Sequence, residues 1–223
     1  MLQPVTVRSG LTLATTQLTT KRIHMTVHGQ HSRIGVLGGT FDPPQNGHLA
    51  VAGAVLERLD LDHILFVPAG DPWQKNEEAT SSQRSEMVKL AIAGQENFSV
   101  SSVDVDRPGP TYTVDTLRDI AKIYPVAELF FILGDEAFES IHTWKDYEEL
   151  ASLAAFVVVS RHGTHPEVPA KLSPSVNLLE ISTLPISSTH CREQIANGLS
   201  LEGLVPGPVA EYIQEHQLYR RNA

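Results

Sequence analysis

From residue 33 onward the chain alternates short, nearly unbroken apolar runs with longer stretches whose apolar positions recur every three or four residues. Ile34-Gly35-Val36-Leu37, His63-Ile64-Leu65-Phe66-Val67-Pro68 and residues 98–103, 128–133, 156–160 and 177–181 belong to the first kind. Runs of that length without a polar face are expected of strands buried on both sides. The second kind begins at Gly47-His48 and continues through Leu49, Val51, Ala52, Val55, Leu56 and Leu59, with Asn46 as the expected helix N-cap. Residues 81–93, 113–123, 187–196 and 208–216 repeat the helical pattern, while 69–76 and the turn 107–110 read as loops. Strand–helix units repeated in this way predict an α/β, doubly wound, Rossmann-like parallel sheet with helices on both faces, in a single domain over residues 33–223. Sheets of that kind bind ligands beyond the carboxyl ends of their strands.

Residues 1–32 lack this pattern. They are rich in Thr, Gln and Val, carry Arg8, Lys21 and Arg22, and contain no Asp or Glu. No apolar core with a small-residue cleavage site stands out, so a secretory signal is not expected. An acid-free, Arg/Thr-rich leader can mimic an organellar transit peptide, but the reading preferred is a disordered tail, or a start assigned too early with Met25 as the true beginning. His24, His28 and His31 in this tail, and His162 and His165 in a Pro/Gly loop, read as solvent-exposed side chains, and no metal site is expected of them.

Bulk charge narrows the function. The 223 residues have a formal net charge of −9, which argues against bulk binding of nucleic acid or an anionic membrane. The apolar runs are too short to span a bilayer. A lone cysteine, Cys191, excludes an intrachain disulfide and a cysteine-based zinc site, and fits a reducing cytoplasm. An acidic chain that handles phosphates has to concentrate positive charge locally. Each His, Lys and Arg near a glycine turn therefore gains weight.

Such a turn closes the first strand. Gly38-Gly39 allows close approach of backbone to a ligand, Thr40-Phe41-Asp42-Pro43-Pro44 forbids helix, and Gln45-Asn46-Gly47-His48 opens the first helix. Free backbone N–H groups, a positive helix end and an imidazole at one place form an anion site. Facing phosphates, His48 can carry charge. Near the other end, Ile186-Ser187-Ser188-Thr189-His190-Cys191-Arg192 is a cluster of capping hydroxyls with a guanidinium one turn into the following helix. Neither a dinucleotide fingerprint nor a P-loop is present.

GGTFDPPQNGHL, residues 38–49, resembles the first signature of the nucleotidyltransferase superfamily that carries the HxGH motif, with Gln45 in place of the first histidine. ISSTHCR at 186–192 is similar to the ISSTxxR motif of the same superfamily, and RPGPTYTVDTL at 107–117 to the RxGPSYTxDTL segment of bacterial nicotinate-nucleotide adenylyltransferases. LVPGPV at 204–209 with Tyr212-Ile213 resembles that family's closing helix. The resemblance implies transfer of AMP from ATP to nicotinate mononucleotide, with Mg2+ accompanying ATP. It also implies a catalytic set of His48, Arg192 and Lys75. Gly38, Gly39, Thr40, Phe41, Gln45, His48, Ser187, Ser188, Thr189 and Arg192 would bind ATP. Tyr112, Thr113, Asp135 and Trp144 would bind the mononucleotide, Asp135 at a ribose and Trp144 stacked on the pyridine ring. Thr113 or Asp115 can equally serve as helix caps. Gln45 can donate a hydrogen bond but brings no charge, so an active variant, an engineered change and a weakened nucleotide binder all remain open. So do other acceptors, nicotinamide mononucleotide or phosphopantetheine, and assembly into a homo-oligomer.

Overall fold

Six parallel strands, β1 (Arg33–Gly39), β2 (His63–Pro68), β3 (Phe98–Val100), β4 (Glu128–Gly134), β5 (Ala155–Ser160) and β6 (Val176–Glu180), form one sheet in the order β3-β2-β1-β4-β5-β6. The computed structural model describes residues 33–73, 77–160, 167–169, 172–182 and 186–220. In this order the chain leaves β1 in one direction to β2 and β3 and later returns to its other side with β4. The crevice of a doubly wound sheet opens at that reversal, so β1 and β4 flank the expected site. Val36 lies in register with Leu65 on one side and Phe131 on the other.

The helices are α1 (Asn46–Arg58), α2 (Ser81–Ala91), α3 (Val103–Asp106), α4 (Thr113–Ile123), α5 (Asp135–Glu139), α6 (Tyr147–Leu153), α7 (Ser188–Ala196) and α8 (Gly207–Glu215). Strand side chains alternate between two cores. Leu37, Ile64, Phe66, Phe130, Ile132 and Val157 face one layer, where Ala52 and Val55 of α1, Met87 and Val88 of α2, Cys191 of α7 and Val209 and Ile213 of α8 cover them. Ile34, Val36, Leu65, Val67, Phe131, Phe156 and Val158 face the other, against Val114, Leu117 and Ile120 of α4, Phe138 of α5 and Leu150 of α6. Burial on both faces is why these strands read as continuous apolar runs rather than alternating ones. No helix among the described residues is long and apolar enough to cross a membrane.

Two local expectations need correction. The third strand stops at Val100 instead of reaching 103, because Val103–Asp106 winds into a helical turn in which the Asp106 amide donates to the Ser102 carbonyl at 2.8 Å. The alternation of Val103 and Val105 with two aspartates resembles a half-buried strand, but Asp104 is the buried member of the pair. The N-cap of α1 is Gln45, not Asn46. Asn46 starts the helix, and its side-chain amide donates outward to the Gly203 carbonyl at 2.9 Å.

Candidate active site

Beyond the carboxyl ends of β1 and β4 lies a cavity of about 820 Å3, within the range of small-molecule sites. Its floor is the β1–α1 turn, Leu37 to Asp42. Gln45 and His48 of α1, Ser187, Ser188, Thr189 and Arg192 of α7, Tyr112, Thr113 and Thr116 of α4, Asp135 of α5, and Trp73, Trp144 and Lys145 complete it. An imidazole from the start of the domain and a guanidinium from near its end thus share one cavity over the glycine turn. Lys75, assigned to the phosphates by resemblance, lies outside the described residues, as do His24, His28, His31, His162 and His165.

The turn itself differs from the expected one. Neither Gly38 nor Gly39 has a positive φ; the left-handed residue is Phe41, at φ 52°. A non-glycine residue there costs roughly 1–3 kcal/mol, and Phe41 is held by burial and by the His48 ring, edge-on at 5.0 Å. A Cβ on Gly39 would stand 3.0–3.2 Å from the Phe41 ring, tighter than ordinary contact, so the ring would have to give by a few tenths of an ångström.

His48 is the third residue of α1. Its Nδ1 accepts the Gln45 backbone N–H at 3.1 Å. A backbone amide can only donate, so Nδ1 is the acceptor in this contact. This bond orients the ring at the turn and leaves Nε2–H as its other polar group. Gln45 is buried, and its Oε1 has no hydrogen-bond partner among the described residues.

Charge comes from Arg192. Its Nε donates to Glu78 Oε1 at 2.8 Å, one terminal nitrogen to the Asp42 carbonyl at 2.9 Å, and the other lies 3.5 Å from Thr189 Oγ1. These contacts hold the guanidinium plane against the turn. The Ser187 hydroxyl caps α7 by accepting the His190 amide at 3.1 Å, and Ser188 donates to the Pro43 carbonyl at 2.9 Å. The Ser188 hydroxyl uses its proton within the protein, while Ser187 Oγ accepts and keeps its own proton to donate; with them comes the aim of the α7 terminus and its free amides.

The opposite wall is built from the α4 start. Tyr112 is the N-cap position by backbone geometry and Thr113 opens the helix. Asp115 does not cap. Its carboxylate takes Lys145 Nζ at 2.9 Å and Arg118 at 3.0 Å, and those partners, the Lys145 bond foremost, hold it below the usual carboxylate range. Lys145 Nζ in turn sits 4.7 Å above the Tyr112 ring. Trp144 packs edge-on against Phe131 at 6.2 Å, and its buried indole N–H has no acceptor among the described residues. Asp135, in the first turn of α5, accepts the Glu136 amide at 2.9 Å. Beneath this wall Asp104 is paired with Arg107 and lies 2.7 and 2.9 Å from the Thr116 hydroxyl. Burial raises its carboxyl above the ordinary value despite those partners.

Two supports went unforeseen. Arg84, fully buried in α2, and Tyr219, after α8, both reach the turn from behind. An arginine in a surface-type helix pattern and a tyrosine near the end of the chain carry no local signal of that role.

The cytidylyltransferase-like family model matches residues 36–194. A protein of Leifsonia xyli subsp. xyli named "Probable nicotinate-nucleotide adenylyltransferase" is 50% identical over 188 residues, 84% of this chain and 94% of that protein. A protein of the same name from Streptomyces coelicolor is 48% identical over 187 residues, 82% of this chain and 99% of the other. Among solved structures, the Plasmodium falciparum nicotinic acid mononucleotide adenylyltransferase complexed with NaAD superposes with a TM-score of 0.69 at 22% identity, covering 85% of this chain and 98% of that one. The corresponding score for a putative nicotinate-nucleotide adenylyltransferase from Vibrio parahaemolyticus is 0.64 at 20% identity, over 86% and 97%. At that identity the superpositions speak to the fold alone.

Proposed function

Because this chain belongs to the nicotinate-nucleotide adenylyltransferases, within the cytidylyltransferase-like family, we propose that the cavity over the β1–α1 turn is where AMP passes from ATP to nicotinate mononucleotide. The products are deamido-NAD and pyrophosphate. The observation that carries this reading is the convergence of His48 and Arg192 over residues 38–41, opposite an aromatic wall of Tyr112 and Trp144.

In this reading an oxygen of the mononucleotide 5′-phosphate attacks the α-phosphorus of ATP. The bond from that phosphorus to the bridging oxygen of the pyrophosphate breaks, and negative charge grows on the leaving group. No covalent enzyme intermediate forms, so alignment and charge stabilisation supply the acceleration. The Arg192 guanidinium and the His48 Nε2–H face the leaving pyrophosphate, and Lys75 joins them. The amides of Thr40 and Phe41 take the α-phosphate, and the amide end of α7 takes the outer phosphates. Charge-assisted hydrogen bonds of this kind are the strong ones.

Mg2+ enters with ATP. Among the described residues no three His, Cys, Asp or Glu side chains group as a metal site, and the Asp42 carboxylate is taken up by protein donors. A water-rich ion held by the phosphates fits such a site. The ion supplies neutralisation of the triphosphate; the chain supplies placement.

Acid is preferred over amide on the same grounds. The N–H groups that open α4 at Thr113 are donors. A carboxylate uses donors only, whereas a carboxamide also needs an acceptor. Trp144 stacks on the pyridine ring and Asp135 accepts from a ribose hydroxyl.

The test supplies purified protein with ATP, Mg2+ and one acceptor at a time, and measures pyrophosphate. Release with nicotinate mononucleotide, and at least tenfold less with nicotinamide mononucleotide or phosphopantetheine, is the expected result. Greater release with either other acceptor rejects the proposal. The Gln45→His variant is expected to match or exceed the parent in kcat. A cationic side chain at the leaving group should add to transition-state stabilisation. A slower variant would overturn the view of Gln45 as a phosphate contact.

A further inference from the structure

Behind the turn that floors the cavity, the Arg84 guanidinium is wholly buried and, among the described residues, donates to main-chain carbonyls alone. These are Thr40 at 2.8 Å, Ala69 at 2.7 Å, Gly70 at 3.1 Å and Ala79 at 3.2 Å. The acceptors lie at the ends of β1 and β2 and at the entry to α2. A core that needed only volume here would be better served by an apolar side chain, because a buried charge carries a desolvation penalty. What a guanidinium adds is direction. In a trans peptide unit the C=O and N–H point opposite ways. Where Arg84 draws the Ala69 carbonyl, the Gly70 N–H of the same unit points away and donates to Thr111 Oγ1 at 3.0 Å. By the same geometry, drawing in the Thr40 carbonyl turns the Phe41 N–H away from Arg84, toward the cavity that Thr40 and Phe41 line.

The next residue is clamped as tightly. Asp42 is buried, and its carboxylate accepts the Glu78 amide at 2.7 Å, the Ala79 amide at 3.2 Å and the Tyr219 hydroxyl at 2.6 Å. Tyr219 stands 177 residues away, is itself buried and has a φ of 62°. Neither Arg84 nor Tyr219 lines the cavity.

We propose that Arg84, Asp42 and Tyr219 form a positioning unit that sets the Phe41 amide toward the ATP phosphates, so that the C-terminal end of the chain belongs to the nucleotide site without touching nucleotide. The inference rests on the reading of this turn as the phosphate-binding element. Tyr219→Phe removes one hydroxyl and keeps the ring. It is expected to raise the ATP dissociation constant, measured by calorimetry without acceptor, at least threefold, and to lower kcat by a similar factor. The KM for nicotinate mononucleotide stays within twofold. Ile213→Val in α8 serves as a control for loss of C-terminal packing, and its ATP affinity is unchanged. Arg84→Lys, which keeps charge but cannot span the carbonyls, is expected to lose more ATP affinity than Tyr219→Phe. If it does not fold, Tyr219→Phe decides alone. A Tyr219→Phe protein whose ATP affinity falls less than threefold while its melting temperature drops as in Ile213→Val overturns the inference and leaves Tyr219 a packing residue. Because binding is read without acceptor, a parent that binds ATP but releases no pyrophosphate would fail the proposed reaction and still decide this point. A parent that binds no ATP overturns both.

Discussion

Arg192→Ala is expected to lower kcat on the order of a hundred- to a thousandfold, the loss typical of removing one preorganised donor from developing charge. The KM for nicotinate mononucleotide should change little, since the far wall is the place proposed for that substrate. The size follows from what else the cavity offers. The Gln45 amide occupies His48 Nδ1, and Gln45 brings no charge, so among the described residues lining the turn the guanidinium is the permanent cation available to the leaving group. Glu78 and the Asp42 carbonyl fix its plane from two sides. Arg192→Lys separates charge from geometry. An ammonium is a point charge and cannot serve Glu78, Asp42 and a phosphate in the same array, so its kcat is expected to fall between the parent and the alanine variant. Initial rates of pyrophosphate release at saturating acceptor measure both, with melting curves recorded alongside. An alanine variant within fivefold of the parent would remove Arg192 from the chemistry.

The parts of this site legible in the sequence are those whose cause is local. Ile34 to His48 could be read as strand, turn and helix because an apolar run, paired glycines, paired prolines and a capping cluster each act over a few residues. The span of α4, Thr113–Ile123, is the expected one because Pro110 precedes a strongly amphipathic stretch. The misses depend on partners far away in the chain. Asp104 and Asp106 look alike in sequence, yet Asp104 is buried because Thr116 and Arg107 meet it there. Arg84 sits in a helix whose apolar side buries Met87, Val88 and Ala91, but its acceptors are carbonyls of residues 40, 69, 70 and 79, and carbonyls leave no trace in composition.

Gly70→Ala is expected to destabilise the chain by about 3 kcal/mol, the upper part of the usual range for overpacking. In a chain of this size that corresponds to a melting temperature lower by roughly 6–12 °C. The sign is the informative part. Gly70 does not have a positive φ, and replacing glycine in a permitted conformation normally stabilises by about 0.4–1 kcal/mol through the unfolded chain. Space, not conformation, demands glycine here. A Cβ would stand 2.1 Å from the Asp104 carbonyl oxygen, 2.9 Å from its carbon and 3.3 Å from the Val105 Cα, all backbone of α3. Nor can the Gly70 peptide retreat, since Thr111 Oγ1 holds its N–H and Arg84 its carbonyl. Relief has to come from α3, which carries Asp104 out of its contact with Thr116 beneath the mononucleotide wall. A raised KM for nicotinate mononucleotide should therefore accompany the lost stability. Gly53→Ala provides the contrast. It lies within α1 with nothing within 4 Å of its added Cβ, and there the change is expected to stabilise by about 0.8–1 kcal/mol through helix propensity. Opposite shifts in melting temperature for the two alanines, with KM moved only at position 70, would establish that α3 is wedged against the β2 loop and that the wedge shapes the site. Shifts of the same sign would refute it.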